Sequence, residues 1–396
     1  MNDAHERIGR HWLHGGTIRL TMADGVVKIF EQLEPPATRG VPDKQRWIAP
    51  ALIDLQLNGV DGVDFNELET TPQRIEEAVR YLYARGVVRF CPTVITSDRS
   101  GMLRCIRTIA EACDAYPEVA YAVLGIHVEG PYISGESGPR GAHPLEHVRD
   151  PDVREYLGWQ EASGDRVRMV TVAPERTGAA DFIRRLVSEG VVAAIGHTGA
   201  TDEQLLAAVD AGASMSTHLG NGSHPLLPRH PNYIWSQLAE DRLYAGLIGD
   251  GHHLPPAALK SMIRAKGTKA VIVSDATHYE GFAPGRYMKR GRYEVLLRPD
   301  GRLVMEDHPQ IFAGAATALN RCVENVARFG ICSLGEAIEM ASLRPAEVIG
   351  LSQAGLGSLR PGSPADLIVY ETGEDGRMEI VETIAGGRSV FTNSDR

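Results

Sequence analysis

Apolar runs recurring at near-even spacing, most of them followed by an amphipathic stretch, constrain this chain more than any other feature. The runs cover residues 52–55, 87–94, 119–128, 167–172, 191–195, 213–217, 243–248 and 269–273. Amphipathic stretches at 71–85, 99–115, 179–188, 201–211 and 255–265 lie between most of them. Such alternation marks βα units around a parallel sheet. Eight strands is the number that closes a (β/α)8 TIM-type barrel, so the fold class expected is α/β. A doubly wound open sheet is the structural alternative. No Gly-x-Gly-x-x-Gly follows the first run, so its dinucleotide-binding version is not supported.

The two ends of the chain read differently. Residues 17–20 and 26–30 alternate short apolar runs with turns, followed by a loop with Pro35, Pro36 and Gly40. Residues 365–370, 378–383 and 389–392 repeat that style. Chain termini often lie close together. Residues 1–48 and 352–396 are therefore expected to build one small β-rich domain beside a barrel of residues 49–351.

Composition narrows the class of function. Of 396 residues, 43% are hydrophobic and 23% charged, which fits a globular protein. The 41 basic and 51 acidic residues give a net charge of −10. That charge offers no counterion release to nucleic acid, so no nucleic-acid partner is expected. No apolar run approaches the ~20 residues that cross a bilayer, and no membrane partner is expected. The start, Met-Asn-Asp-Ala-His-Glu-Arg, lacks a basic segment followed by an apolar one, so no signal peptide is expected. Cys91, Cys105, Cys113, Cys322 and Cys332 are odd in number and form no Cys-x-x-Cys pair. The expectation is a reducing cytoplasm, without a disulfide framework or an all-cysteine zinc site.

Chemistry in such a barrel sits where the strands end. The runs here end in Asp54-Leu55-Gln56-Leu57-Asn58, Pro92-Thr93, His127-Val128-Glu129-Gly130-Pro131, Gly196-His197-Thr198, Thr217-His218-Leu219-Gly220-Asn221, Asp250-Gly251-His252-His253 and Ser274-Asp275-Ala276. Taken singly, each has an ordinary reading. Glu129 would be a cap or a solvated loop residue, His197 and His218 packed core imidazoles, and Asp275 a helix cap. Glu175, after the fourth run, reads as a cap, and His252 as surface or packing. Taken together at strand ends, Glu129, His197 and His218 form the one-carboxylate, two-imidazole set of a catalytic zinc site with an open position. Such a metal acidifies water to a nucleophile, and Asp275 would move its proton.

In this order the motifs resemble the amidohydrolase superfamily, and within it the N-acetylglucosamine-6-phosphate deacetylase family. The segment 49–59, Gly141-Ala142-His143 and the tail from Gly357 to Leu367 complete the likeness, which spans nearly the whole chain. The resemblance implies a small β-sandwich domain beside the barrel and one divalent metal ion per subunit, Zn2+, held by Glu129, His197 and His218. It implies Asp275 as the catalytic residue. It implies substrate contacts from His143, Asn221, Gly222, Arg229 and His253, with an amino-sugar small molecule as substrate and a homodimer as the assembly common in the family. Many relatives carry His-x-His after the first strand for a second metal; Gln56-Leu57-Asn58 stands there, so one tight metal is expected. The stretch 220–235 departs from the family pattern. That leaves open the sugar and the need for a 6-phosphate, with another N-acyl compound or a cyclic amide as the alternative substrate. A catalytically silent barrel is the rival from a different class. Residues 280–292, rich in glycine and basic side chains, read as an excursion after the eighth strand.

Overall fold

The computed structural model describes residues 5–34, 46–289, 293–307, 312–373 and 376–393. The expected loop at Pro35, Pro36 and Gly40 lies outside them, as do residues 290–292 of the excursion. Eight parallel strands follow one another around a barrel: Leu52–Leu57, Val87–Ile95, Ile126–Glu129, Val167–Val172, Val192–Ile195, Met215–Ser216, Tyr244–Ile248 and Ala270–Val273. First and eighth meet through an isolated parallel bridge, Leu57 with Ala276. There Asp275 N donates to Gln56 O at 2.9 Å and Asn58 N to Ala276 O at 2.8 Å. The barrel fold expected from the eight apolar runs is the fold observed.

The sequence explains the elements. Thr71, Asp98, Asp152 and Thr201 each cap a helix by accepting from backbone N–H groups of its first turn. One of these helices, Val153–Ser163, was not anticipated; it is capped by Asp152 and ended by left-handed Gly164. Alternate strand residues divide between two packed layers. Ile53, Leu55, Cys91, Met169, Met215, Val271 and Val273 fill the barrel interior. Leu52, Val88, Phe90, Val128, Val170 and Ile272 face the helices. A polar rung crosses the barrel with them. His127 Nδ1 donates to Leu55 O at 3.2 Å, its Nε2 faces Thr171 Oγ1 at 2.8 Å, and Thr171 meets Thr217 at 2.7 Å.

Two expectations on the barrel are corrected. Within 119–128 only Ile126–Glu129 is strand, because Pro117 starts a short helix, Pro117–Ala122, that buries Val119 and Ala122. The sixth strand shrinks to Met215–Ser216 because the chain turns out at Thr217 and His218. After the excursion the chain forms two short helices, Leu334–Met340 and Leu343–Val348, separated where Ser342 Oγ donates back to Ile338 O. The excursion after the eighth strand forms an antiparallel three-stranded sheet, Gly285–Lys289, Tyr293–Leu297 and Leu303–Met305.

Both termini join in one seven-stranded sheet. Its order is Arg388–Thr392, Met378–Ala385, Leu367–Thr372, Trp47–Pro50, His5–His11, Thr17–Ala23 and Val26–Gln32. The sheet curls until Val26 bridges Pro364, enclosing Ile18, Leu20, Val27, Ile48, Leu367 and Val369. The strand His5–His11 went unread because Ile8 is its one aliphatic side chain larger than glycine. No helix among the described residues is long and apolar enough to cross a membrane.

Sheet and barrel are locked by a buried polar joint. Arg89 Nε of the second barrel strand meets Asp366 Oδ2 at 2.9 Å, and Asp366 Oδ1 accepts from Tyr121 OH and from Gly386 N. Removing one partner of a buried pair leaves the other charge unpaired, at a cost of about 3–5 kcal/mol. Asp366→Ala is therefore expected to lower the unfolding free energy by about that amount, and less if water reaches Arg89. A denaturant titration checks this; an unchanged midpoint would show that the joint is dispensable.

Candidate metal centre

Three barrel strands deliver three donors to one point. Glu129 ends the third strand, His197 follows the fifth and His218 follows the sixth. His197 Nε2 lies 3.1 Å and His218 Nε2 2.9 Å from Glu129 Oε1, and the two Nε2 atoms are 3.0 Å apart. All three residues are buried. The edge of a tetrahedron around zinc is about 3.3 Å for metal–ligand bonds of about 2.0–2.1 Å, so the spacing fits a shared ion.

The donors are aimed as well as gathered. His197 Nδ1 sits 2.8 Å from Pro139 O, and a carbonyl only accepts, so Nδ1 carries the hydrogen and Nε2 turns a lone pair inward. His218 Nδ1 is buried without a hydrogen-bond partner among the described residues. Burial works against charge on Glu129, yet the two imidazoles outweigh it and hold the carboxyl well below its usual range. Burial likewise opposes the His218 cation, but Glu129 overrides it and pushes His218 up to about 9. A proton relieves one of these close lone-pair contacts; a divalent cation relieves all three.

Gln56 and Asn58, at the end of the first strand, both donate into this site. Gln56 Nε2 donates to Glu129 Oε1 at 2.9 Å, and Asn58 Nδ2 donates to Asp275 Oδ1 at 2.8 Å. Each amide fixes a carboxylate. Asp275 stands at the mouth with one oxygen held this way. Burial pushes it up to about 6, with the Glu129 charge adding to the rise. His253, after the seventh strand, points Nδ1 at Asp250 Oδ2 at 2.6 Å and packs against Phe312. His143 enters from the loop after the third strand; its Nδ1 meets Thr96 Oγ1 at 2.7 Å and its ring lies 4.4 Å from that of His197. Ligand atoms of Glu129, His143 and His197 fall within 4.8 Å of one another, so His143 borders the same chamber.

Asn221 and Gly222 follow His218 directly. Asn221 N donates to His218 O at 2.9 Å, and its buried Nδ2 has no partner among the described residues. Gly222 has a left-handed φ of 54°, and a Cβ there would fall 2.6 Å from His197 Nδ1. The missing side chain is what admits the His197 ring. Arg229 is not brought to the cluster. It is exposed, and Asn232 holds this loop against the helix Tyr233–Ala239 through Pro228 O and Arg229 O.

Two ordinary readings are settled by contacts. His252 Nε2 packs on Asp300 O at 2.8 Å. Glu175 is not a helix cap: Thr198 Oγ1 and Gly199 N donate to it, so it braces the turn after His197. The unusual loop is braced similarly, with His224 held between Glu136 and Tyr233. Only the motif order pointed at this region; nothing local in the sequence marked Glu175 or Glu136 as braces.

The amidohydrolase family pattern matches residues 47–390. An N-acetylglucosamine-6-phosphate deacetylase of Danio rerio is 34% identical over 92% of this chain and 89% of its own. An N-acetylgalactosamine-6-phosphate deacetylase of Escherichia coli O157:H7 is 32% identical over 91% and 92%. An Asp-to-Ala mutant of the N-acetyl-D-glucosamine-6-phosphate deacetylase of Mycobacterium smegmatis, solved in complex with N-acetyl-D-glucosamine-6-phosphate, superposes with a TM-score of 0.83 at 29% identity, covering 95% of both chains. Barrel, terminal sheet and sequence agree: this chain belongs to the amidohydrolase family, on the branch of the N-acetylglucosamine-6-phosphate deacetylases.

Proposed function

We propose that this protein removes the acetyl group from an N-acetyl amino sugar 6-phosphate, N-acetylglucosamine 6-phosphate in the first place, releasing acetate and the free amine. The convergence of Glu129, His197 and His218 within about 3 Å of one another, beside a buried-side carboxylate at Asp275, carries this proposal. Glu129, His197 and His218 would hold one zinc ion, whose donor set of one carboxylate and two imidazoles suits it. When bound, that ion supplies Lewis acidity, which polarises an amide carbonyl and acidifies water at neutral pH.

The chain's own groups account for the proton traffic. Asp275, with Oδ1 held by Asn58, accepts a proton from the attacking water on its other oxygen. The water oxygen bonds to the acetyl carbon, the C–N bond breaks, and Asp275 returns the proton to the departing nitrogen. His253 is fixed through Nδ1 by Asp250, so Nε2 is left to face substrate, and with His143 it orients the acetamide. Asn221 Nδ2, without a partner among the described residues, is a donor for the sugar phosphate, beside the Gly222 backbone. Five free cysteines, four of them buried, suit a cytoplasmic setting.

A panel of N-acetylhexosamines, each with and without a 6-phosphate and covering the gluco and galacto epimers, tests the proposal through released acetate. Release from N-acetylglucosamine 6-phosphate at the highest kcat/KM is expected; release from none of the panel would end the deacetylase reading. Asp275→Asn is expected to lower kcat by about 10²–10⁴-fold with KM held near its original value, the usual range for losing an acid–base group. Near-normal turnover would take Asp275 out of the mechanism. Gly222→Ala is expected to weaken metal binding by about 10–100-fold, the range for a disturbed ligand environment. A metal titration with a competing chelator reads this directly, and unchanged affinity would mean that the His197 ring tolerates the added methyl.

A further inference from the structure

The buried carboxyl of Asp54 has no part in the chemistry above, yet it sits between the two strands that carry Gln56, Asn58 and Asp275. The first barrel strand pairs Asp54 with Phe90 and then Leu57 with Pro92. Three steps on one strand against two on the other is a β-bulge, which places one extra residue in the first strand. The side-chain alternation shifts with it. Ile53 and Leu55 face the barrel interior, whereas Leu57 packs in the outer layer with Leu52. Gln56 and Asn58 are thereby turned inward, onto Glu129 and Asp275. Without the bulge, strict alternation would send both amides out among the helices.

A bulge leaves backbone groups without ladder partners. Asp54 Oδ1 accepts from Gln56 N at 3.2 Å, within the bulged stretch of its own strand, and from Ser274 N at 3.3 Å, just past the eighth strand. Ser274 Oγ completes the seam by donating to Gln56 O at 3.4 Å. Asp54 is 1% exposed, and no cation pairs with it among the described residues. Burial pushes its carboxyl up to about 7. An unpaired acid in an apolar layer is costly unless its acceptors are needed.

We propose that Asp54 is a positioning residue for the deacetylation, one that holds the bulge and the first-to-eighth strand seam and thereby aims Gln56 at Glu129 and Asn58 and the Asp275 backbone at the reacting site. This rests on the deacetylase reading. What matters in Asp54 is its acceptor oxygen, not its charge.

Asp54→Asn keeps that oxygen and Asp54→Leu removes it at similar size. With N-acetylglucosamine 6-phosphate as the probe and metal-replete protein, D54L is expected to lose kcat tenfold or more. Its KM should stay within twofold and its metal content should equal that of the unsubstituted protein. D54N should recover most of that kcat. Amide exchange followed by mass spectrometry should quicken tenfold or more in peptides covering 52–59 and 270–277 of D54L, and not in D54N. Should D54L fail to fold, Asp54→Ala carries the same comparison. D54L with kcat within twofold of the unsubstituted protein would overturn the proposal, as would D54N losing as much as D54L. If the unsubstituted protein releases no acetate, the deacetylase reading falls and takes this role with it; release by that protein and by D54L alike sinks Asp54 alone.

Discussion

Three lone pairs crowded within about 3 Å of one another, on Glu129, His197 and His218, are the constraint around which the rest of the barrel mouth is arranged. Such a cluster is unfavourable by itself: a carboxylate and two imidazoles leave water and face each other. It persists because neighbours hold Glu129 and His197 in place. Pro139 O fixes the tautomer of His197, Gln56 holds Glu129, and Glu175 braces the turn after His197. Below lies the rung of His127, Thr171 and Thr217, in which burial pushes His127 down to about 4 and keeps it neutral at physiological pH. A neutral floor adds no positive charge to compete with a cation above it.

The scaffold adds a directional constraint. His197, His218 and Asp275 all have left-handed backbones, with φ of 50°, 26° and 48°. Non-glycine residues avoid that region at a cost of about 1–2 kcal/mol each. All three sit where a strand stops and its chain leaves the barrel. A left-handed turn at that point sends the chain outward while the side chain stays over the barrel axis. The strain is borne by the barrel, whose two packed layers fix the strand ends.

The sequence made the fold legible because it depends on repetition: eight apolar runs with amphipathic partners leave few architectures. The gathering of Glu129, His197 and His218 was legible for a related reason, since polar residues that end strands must converge in a barrel. Three kinds of feature were not legible. The strand His5–His11 has no apolar alternation, because its pairing partners supply the core side chains. The helix Pro117–Ala122 hid within an apolar run, where periodicity cannot separate a buried strand from a short buried helix. Glu175 was misread because a carboxylate after a strand looks the same whether it caps a helix or braces a loop 24 residues on. Its role depends on a distance in space that local pattern does not encode.

Gln56 and Asn58 illustrate the same limit from the chemical side. Residue type alone says that amides are poor zinc ligands, and it says nothing of what they do instead. Their role follows from direction, and direction follows from one extra residue in the first strand. An amide has a donor and an acceptor at nearly the same reach as imidazole, so it can stand at the same strand end and hold a carboxylate by hydrogen bond. Each amide therefore orients a carboxylate at the end of the first strand. A candidate metal cluster built this way depends less on its donor side chains alone than on backbone geometry one layer further out, where the first and eighth strands close the barrel.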